Sequence, residues 1–72
     1  MEMIDTSRSS SVAAIGYDAE KKELQVQFKG GGLYLYKRVP QHIFENMLNA
    51  SSIGHYFHVN VKNFYDFVKL RG

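Results

Sequence analysis

The stretch Glu23-Leu24-Gln25-Val26-Gln27-Phe28-Lys29-Gly30-Gly31-Gly32-Leu33-Tyr34-Leu35-Tyr36-Lys37-Arg38 decides the fold. Leu24, Val26 and Phe28 alternate with Glu23, Gln25, Gln27 and Lys29, the period-2 pattern of a half-buried strand. Leu33 to Arg38 is equally strand-like, rich in aromatic and aliphatic residues. The glycines between them make a hairpin turn, and its length fixes which way Tyr34 and Tyr36 point. A two-residue loop pairs Phe28 with Leu33 or Leu35 and puts the leucines in the core. A three-residue loop, Gly30-Gly31-Gly32, pairs Phe28 with Tyr34 and Val26 with Tyr36. A one-residue slip turns every side chain over, so the turn chooses between core tyrosines and an exposed aromatic platform.

Working outward, Ser11 to Tyr17 reads as a preceding strand with Ala13, Ile15 and Tyr17 on one face. Val12 is out of phase with that set, so it either faces solvent or is brought inward by a bulge near Ala13-Ala14. If Asp18 pairs with Glu23, the loop Ala19 to Lys22 sets Tyr17 opposite Leu24 and Ile15 opposite Val26, preserving one apolar face. Downstream, Val39-Pro40 ends the third strand and Pro40 suits the first position of a helix. Ile43, Phe44, Met47 and Leu48 form one stripe on a short helix from Pro40 to about Ala50. Ser51 and Ser52 are N-cap residues for a second helix. In that helix Ile53, Tyr56, Phe57, Asn60, Val61 and Phe64 recur at three- and four-residue intervals. Phe64 to Leu70 is too aromatic for a free tail and is expected to pack back as a short edge strand. The predicted architecture is α+β: a three-stranded antiparallel meander, two short helices on one face, and a C-terminal edge segment. Residues 1–10 read as a flexible tail and 11–72 as a single domain.

Composition bounds the function. A chain of 72 residues buries only about 60% of the surface its unfolded form exposes, leaving little room for a deep enclosed active site. It has no cysteine, so no disulfide framework or thiolate metal site is available. The acidic N-terminus lacks the basic and apolar regions of a signal peptide, and no apolar run approaches a membrane span. A cytoplasmic protein without a membrane association is expected. The net charge of +2 is mild, but Lys21, Lys22, Lys29, Lys37 and Arg38 face only Glu23 between positions 21 and 38. Such lysines either discourage edge pairing or form an electrostatic footprint for nucleic acid.

These segments in order carry a family resemblance. Gly16-Tyr17, Leu24-x-Val26-x-Phe28, Tyr34-Leu35-Tyr36, Val39-Pro40 and Ser52-x-Gly54-x-Tyr56-Phe57 resemble the KTSC domain over roughly Ser9 to Tyr65. That family is named after the lysyl-tRNA synthetase C-terminus, where some members occur; others are single-domain bacterial proteins. The residues that carry the resemblance include Tyr34, Tyr36, Pro40, Ser52, Gly54, Tyr56 and Phe57. It implies a small domain of unassigned role, with RNA binding suggested by the synthetase context. The chain departs from the pattern at Ile53 and His55, where relatives are often basic, and at His58, where they tend to carry asparagine. The basic position after the following aliphatic is kept as Lys62.

The separation of Phe28 and Tyr34 is even, which suits a three-residue loop, inward tyrosines and Gly32 in a left-handed conformation. Gln25, Gln27, Lys29, Leu33, Leu35 and Lys37 then form the other face. Outward tyrosines would instead stack bases. The expected function is a non-catalytic binding module. RNA, single-stranded or transfer RNA, is the leading ligand class, met by Lys29, Tyr34, Tyr36, Lys37, Arg38 and Lys62. The alternative is a protein-interaction module using the open sheet face or an edge strand. A monomer is expected. No cofactor is called for: His55 and His58 lack a third ligand, His42 sits near a helix start, and no serine has a nucleophile-elbow context. The triple glycine leads into a strand and is not a phosphate loop.

Overall fold

The computed structural model describes residues 2–8 and 11–72. Met1, Ser9 and Ser10, part of the expected tail, lie outside the described residues. The elements in chain order are β1 (Met3–Asp5), β2 (Val12–Asp18), β3 (Glu23–Phe28), β4 (Leu33–Tyr36), α1 (Gln41–Leu48), α2 (Ile53–Asn60) and β5 (Phe67–Arg71). The strands form one antiparallel sheet in the order β1-β2-β3-β4-β5. The expected three-stranded meander is therefore its centre, flanked by an additional strand on either side.

The β2–β3 hairpin has the register that one apolar face demands, with Asp18 opposite Glu23, Tyr17 opposite Leu24 and Ile15 opposite Val26. The Asp18 carboxylate accepts from the Glu20 and Lys21 backbone amides at 3.0 and 3.3 Å, which shapes the turn. Lys22 closes it at φ 55°, a left-handed conformation usually left to glycine or asparagine. Between Val12 and Ala14 the register shifts, and Val12 is fully buried. The bulge thus brings the out-of-phase valine into the core.

In the β3–β4 hairpin, Leu24 faces Tyr36, Val26 faces Tyr34 and Gln27 faces Leu33. The tyrosines point inward, as the parity argument expects, but the pairing differs from the predicted one by two residues. The Phe28 amide donates to the Gly32 carbonyl at 2.9 Å and the Gly31 amide to the Phe28 carbonyl at 3.0 Å. The three loop residues are therefore Lys29, Gly30 and Gly31, and Gly31 takes the positive φ of 111° in place of Gly32. Moving a three-residue loop by one position shifts the register by two and leaves the faces unchanged.

Thr6 explains how the segment before β2 joins the body. Its hydroxyl donates to the Val12 carbonyl at 2.8 Å, and its amide donates to the Ala13 carbonyl at 2.9 Å. Residues 3–5, which the sequence reading places in a tail, are strand β1, paired through Ile4 opposite Ile15.

Both helices cover the face bearing Ile15, Leu24, Val26 and Tyr36. With Val12, Val39, Met47, Ile53, Phe57 and Val61 these residues form the buried core. Each buried aliphatic or aromatic side chain contributes about 1.5–3 kcal/mol relative to exposure. Pro40 is the N-cap of α1, one position before the predicted one. Ser52 caps α2 as expected, accepting from the His55 amide at 3.3 Å. The second helix ends at Asn60 and does not continue to Phe64. The crossover from β4 to α1 is pinned at Val39. Its amide donates to the Lys22 carbonyl at 2.9 Å, and its carbonyl accepts from the Tyr17 hydroxyl. Arg38 just before it turns the chain at φ 58°.

Candidate functional site

Inward tyrosines would be ordinary core residues if the helices covered the sheet completely. They do not. α2 lies over β3 and β4 but leaves the β4–β5 side of the same face open. The result is a groove of about 820 Å³ between α2 and the sheet edge. Tyr34, Tyr36 and Phe28 line it from the sheet, Phe57 from the helix and Phe67 from β5.

These rings form one connected cluster. Phe28 meets Tyr34 and Phe57 edge-on at centroid distances of 5.6 and 5.3 Å, and Phe57 meets Tyr36 edge-on at 5.3 Å. Phe67 lies against Tyr34 at 5.5 Å and Tyr36 at 5.3 Å. The packing locks the floor, since edge-to-face pairs at this spacing contribute about 0.5–1.5 kcal/mol each beyond area burial. Tyr36 is nearly inaccessible, whereas Phe67 is 51% exposed. Burial, reinforced by the neighbouring Tyr34, pushes the Tyr36 phenol above its usual range. Tyr34 is half-buried, and its ring passes directly over Gly32. A Cβ at position 32 would stand 2.7 Å from Tyr34 Cε1.

The lysine side chains at the groove come from two parts of the chain. Lys62, His58 and Asn63 line it from α2 and the turn after it, and Lys69 lines it from β5. Lys69 Nζ lies 5.8 Å from the centroid of Tyr34, over its ring. Among the described lining residues there is no aspartate or glutamate side chain. Gly30 and Gly32 of the hairpin and Gly54 of α2 also line the groove.

The six residues expected to contact RNA divide into two groups. Tyr34, Tyr36 and Lys62 come together in the groove. Lys29 sits in the turn beside Gly30, outside the lining. Lys37 and Arg38 are exposed at the opposite end of β4, with the Lys37 amide tied to the Asp66 carbonyl at 2.8 Å. The residues that carry the family resemblance also divide. Tyr34, Tyr36, Gly54 and Phe57 line the groove, Ser52 caps the helix that forms its wall, and Pro40 starts α1. Tyr56 packs partly buried against the core. Phe67 and Lys69 were not singled out from sequence as site residues. Their i, i+2 spacing in a strand is the signal that puts them on one face.

Among the described residues the other sheet face carries no helix. Gln25 opposite Leu35 and Gln27 opposite Leu33 form its centre, all half-buried. Among the described residues no group of three or more His, Cys, Asp or Glu could hold a metal ion. No helix among them is long and apolar enough to cross a membrane.

Comparison with known proteins adds to this geometry. The family model of the KTSC domain matches residues 8–65. An uncharacterised protein of Stutzerimonas stutzeri is 42% identical over 50 residues, covering 69% of this chain and 70% of its own. A protein of Tsukamurella paurometabola is 41% identical over 54 residues, covering 75% of this chain and 81% of its own. A lysine–tRNA ligase of Nostoc is 33% identical over 61 residues, which is 85% of this chain but 11% of that protein. The crystal structure of a KTSC domain protein from Yersinia pestis superposes with a TM-score of 0.89 at 31% identity, covering 96% of both chains.

Proposed function

The chain belongs to the KTSC domain family, and from that premise we propose that it is a non-catalytic module binding single-stranded RNA in the groove between α2 and the β4–β5 edge. The observation that carries this reading is the composition of the groove: five aromatic rings walled by Lys62 and Lys69, with no carboxylate side chain in its lining. Unpaired bases stack on aromatic side chains for about 1–3 kcal/mol each, and lysines attract the backbone. The ring open to such stacking is Phe67, beside the half-buried Tyr34; Tyr36 and Phe57 act as the rigid floor beneath them. The glycines at the hairpin end present no side chain to an approaching phosphate. The segment shared with a lysine–tRNA ligase supports RNA as the ligand class. Ser11 and His58 line the groove, but among the described lining residues there is no aspartate or glutamate to act as the orienting acid that a hydrolase requires.

The test is fluorescence anisotropy with a labelled oligonucleotide of unpaired uridines, across a range of salt. Two lysine–phosphate contacts give a log–log slope of about −1.4 for a single strand, from about 0.7 per contact. Lys62→Gln and Lys69→Gln should each lower the slope by about 0.7, while Lys37→Gln leaves it unchanged. Binding that ignores salt, or that depends on Lys37 and not on Lys62, would overturn the reading.

A further inference from the structure

A second surface begins where the groove ends. β5 is the last strand of the sheet and pairs only with β4, so its outer edge carries unpaired backbone groups among the described residues. The opposite edge, β1, is three residues long and includes Asp5. β5 has five residues, all exposed, and among them Val68 and Leu70 are 43% and 46% accessible. Natural edges are normally shortened, covered or charged to prevent pairing. This one is charged, and its pairing with β4 shifts register beyond Lys69, but Phe67 to Lys69 pair regularly and the edge keeps its apolar side chains.

The charges have a definite arrangement. Phe67 pairs with Tyr36 and Lys69 with Tyr34, which places both on the helix-bearing face. Val68 pairs with Leu35 and Arg71 with Leu33, which places both on the open face. The register shifts between Leu33 and Tyr34, so Leu70 is the extra residue of a bulge beside Arg71. The helix-bearing face offers Phe67 and then Lys69, the open face Val68 and then Arg71, and β5 contains no acid. We propose that β5 is a docking edge for an extended acidic segment of another protein, added to the sheet as a sixth strand. Backbone hydrogen bonds would hold such a strand, and side chains alternating between the faces would select it. Apolar residues would meet Phe67 and Val68, and carboxylates would meet Lys69 and Arg71. Charge complementarity decides the occupant. A second copy of β5 would bring two cations toward two cations, and like charges across a strand pair are destabilising. An acidic strand turns the same residues from a deterrent into an attraction.

The experiment uses the full chain, labelled with nitrogen-15, and a capped peptide of alternating valine and glutamate. Amide hydrogen exchange across Phe67–Arg71 should slow by tenfold or more at saturating peptide. A valine–lysine peptide of equal length should have no effect. In a Lys69→Glu, Arg71→Glu double variant, whose folding is checked by circular dichroism, the preference should reverse. No protection of β5 at about 1 mM peptide, the weak end of specific binding, would overturn the proposal. So would equal protection by both peptides, or protection that grows with protein concentration alone and thereby identifies a second copy. The RNA reading shares Phe67 and Lys69 with this edge, so the two are told apart by Lys62→Gln, which should weaken RNA binding and leave peptide protection of β5 unchanged.

Discussion

Tyr17 ties three elements together through one hydroxyl. It stands in β2, its ring stacks on Phe44 of α1 at 5.1 Å, and its hydroxyl donates to the carbonyl of Val39 in the crossover. Tyr17→Phe keeps the ring and leaves that carbonyl without its donor, so stability should fall by about 1 kcal/mol in urea unfolding. The phenols also set the alkaline limit of the fold. Burial raises the pKa of Tyr36 and, with the charge of Asp18 second, that of Tyr17. A group whose folded pKa lies above its unfolded value favours the native state as long as it stays protonated. This contribution is complete below the unfolded phenol pKa of about 10 and is lost as pH rises through the higher folded values. Unfolding free energies measured from pH 8 upward should therefore decline above about pH 10, and less steeply in Tyr36→Phe. Gly32 lies under the Tyr34 ring. Gly32→Ala should leave the fold intact but displace the Tyr34 ring, because the new methyl would meet it at 2.7 Å. Loss of RNA binding with the fold retained, and a fall in stability of no more than about 1–3 kcal/mol from the disturbed Phe28 and Phe67 ring contacts, is the expected result.

At the level of elements, the wall of the groove depends on how α2 starts. Ser52→Ala removes the side-chain acceptor for the His55 amide and should cost about 1 kcal/mol, read from thermal or urea unfolding. Much of this local architecture was legible in the sequence. Alternation in Leu24, Val26 and Phe28 set the core face, the Asp18-to-Glu23 spacing set the first hairpin register, and the phase error at Val12 marked the bulge. The second hairpin was legible only in parity. Three consecutive glycines offer more than one place for the left-handed residue, and local sequence does not rank them; the positive φ falls on Gly31. β1 was not legible because three residues show no periodicity, and its anchor is the burial of Thr6 by tertiary contact. The groove was half legible. Tyr34, Tyr36 and Lys62 were named, but an aromatic core and an aromatic groove floor have the same pattern. The difference is made by α2 ending at Asn60 and by β5 extending the sheet beyond the helix's reach.

For the whole molecule, net charge says little about the ligand, because +2 over 72 residues is a weak field. Position matters more. Lys37 and Arg38, an adjacent basic pair in the middle of the chain, lie away from the groove, whereas Lys62 and Lys69, seven residues apart near the C-terminal end, both line it. The helix-bearing face of the sheet therefore has two parts: α1 and α2 seal one, and the aromatic strip beside β5 stays open. The most direct measurement is a heteronuclear NMR titration of the labelled protein with single-stranded RNA at two salt concentrations. The account predicts shifts at Tyr34, Gly54, Phe57, Lys62 and Phe67 that weaken as salt rises. Shifts confined to Gln25, Gln27, Leu33 and Leu35 on the open face, or no shifts with RNA in excess, would contradict it.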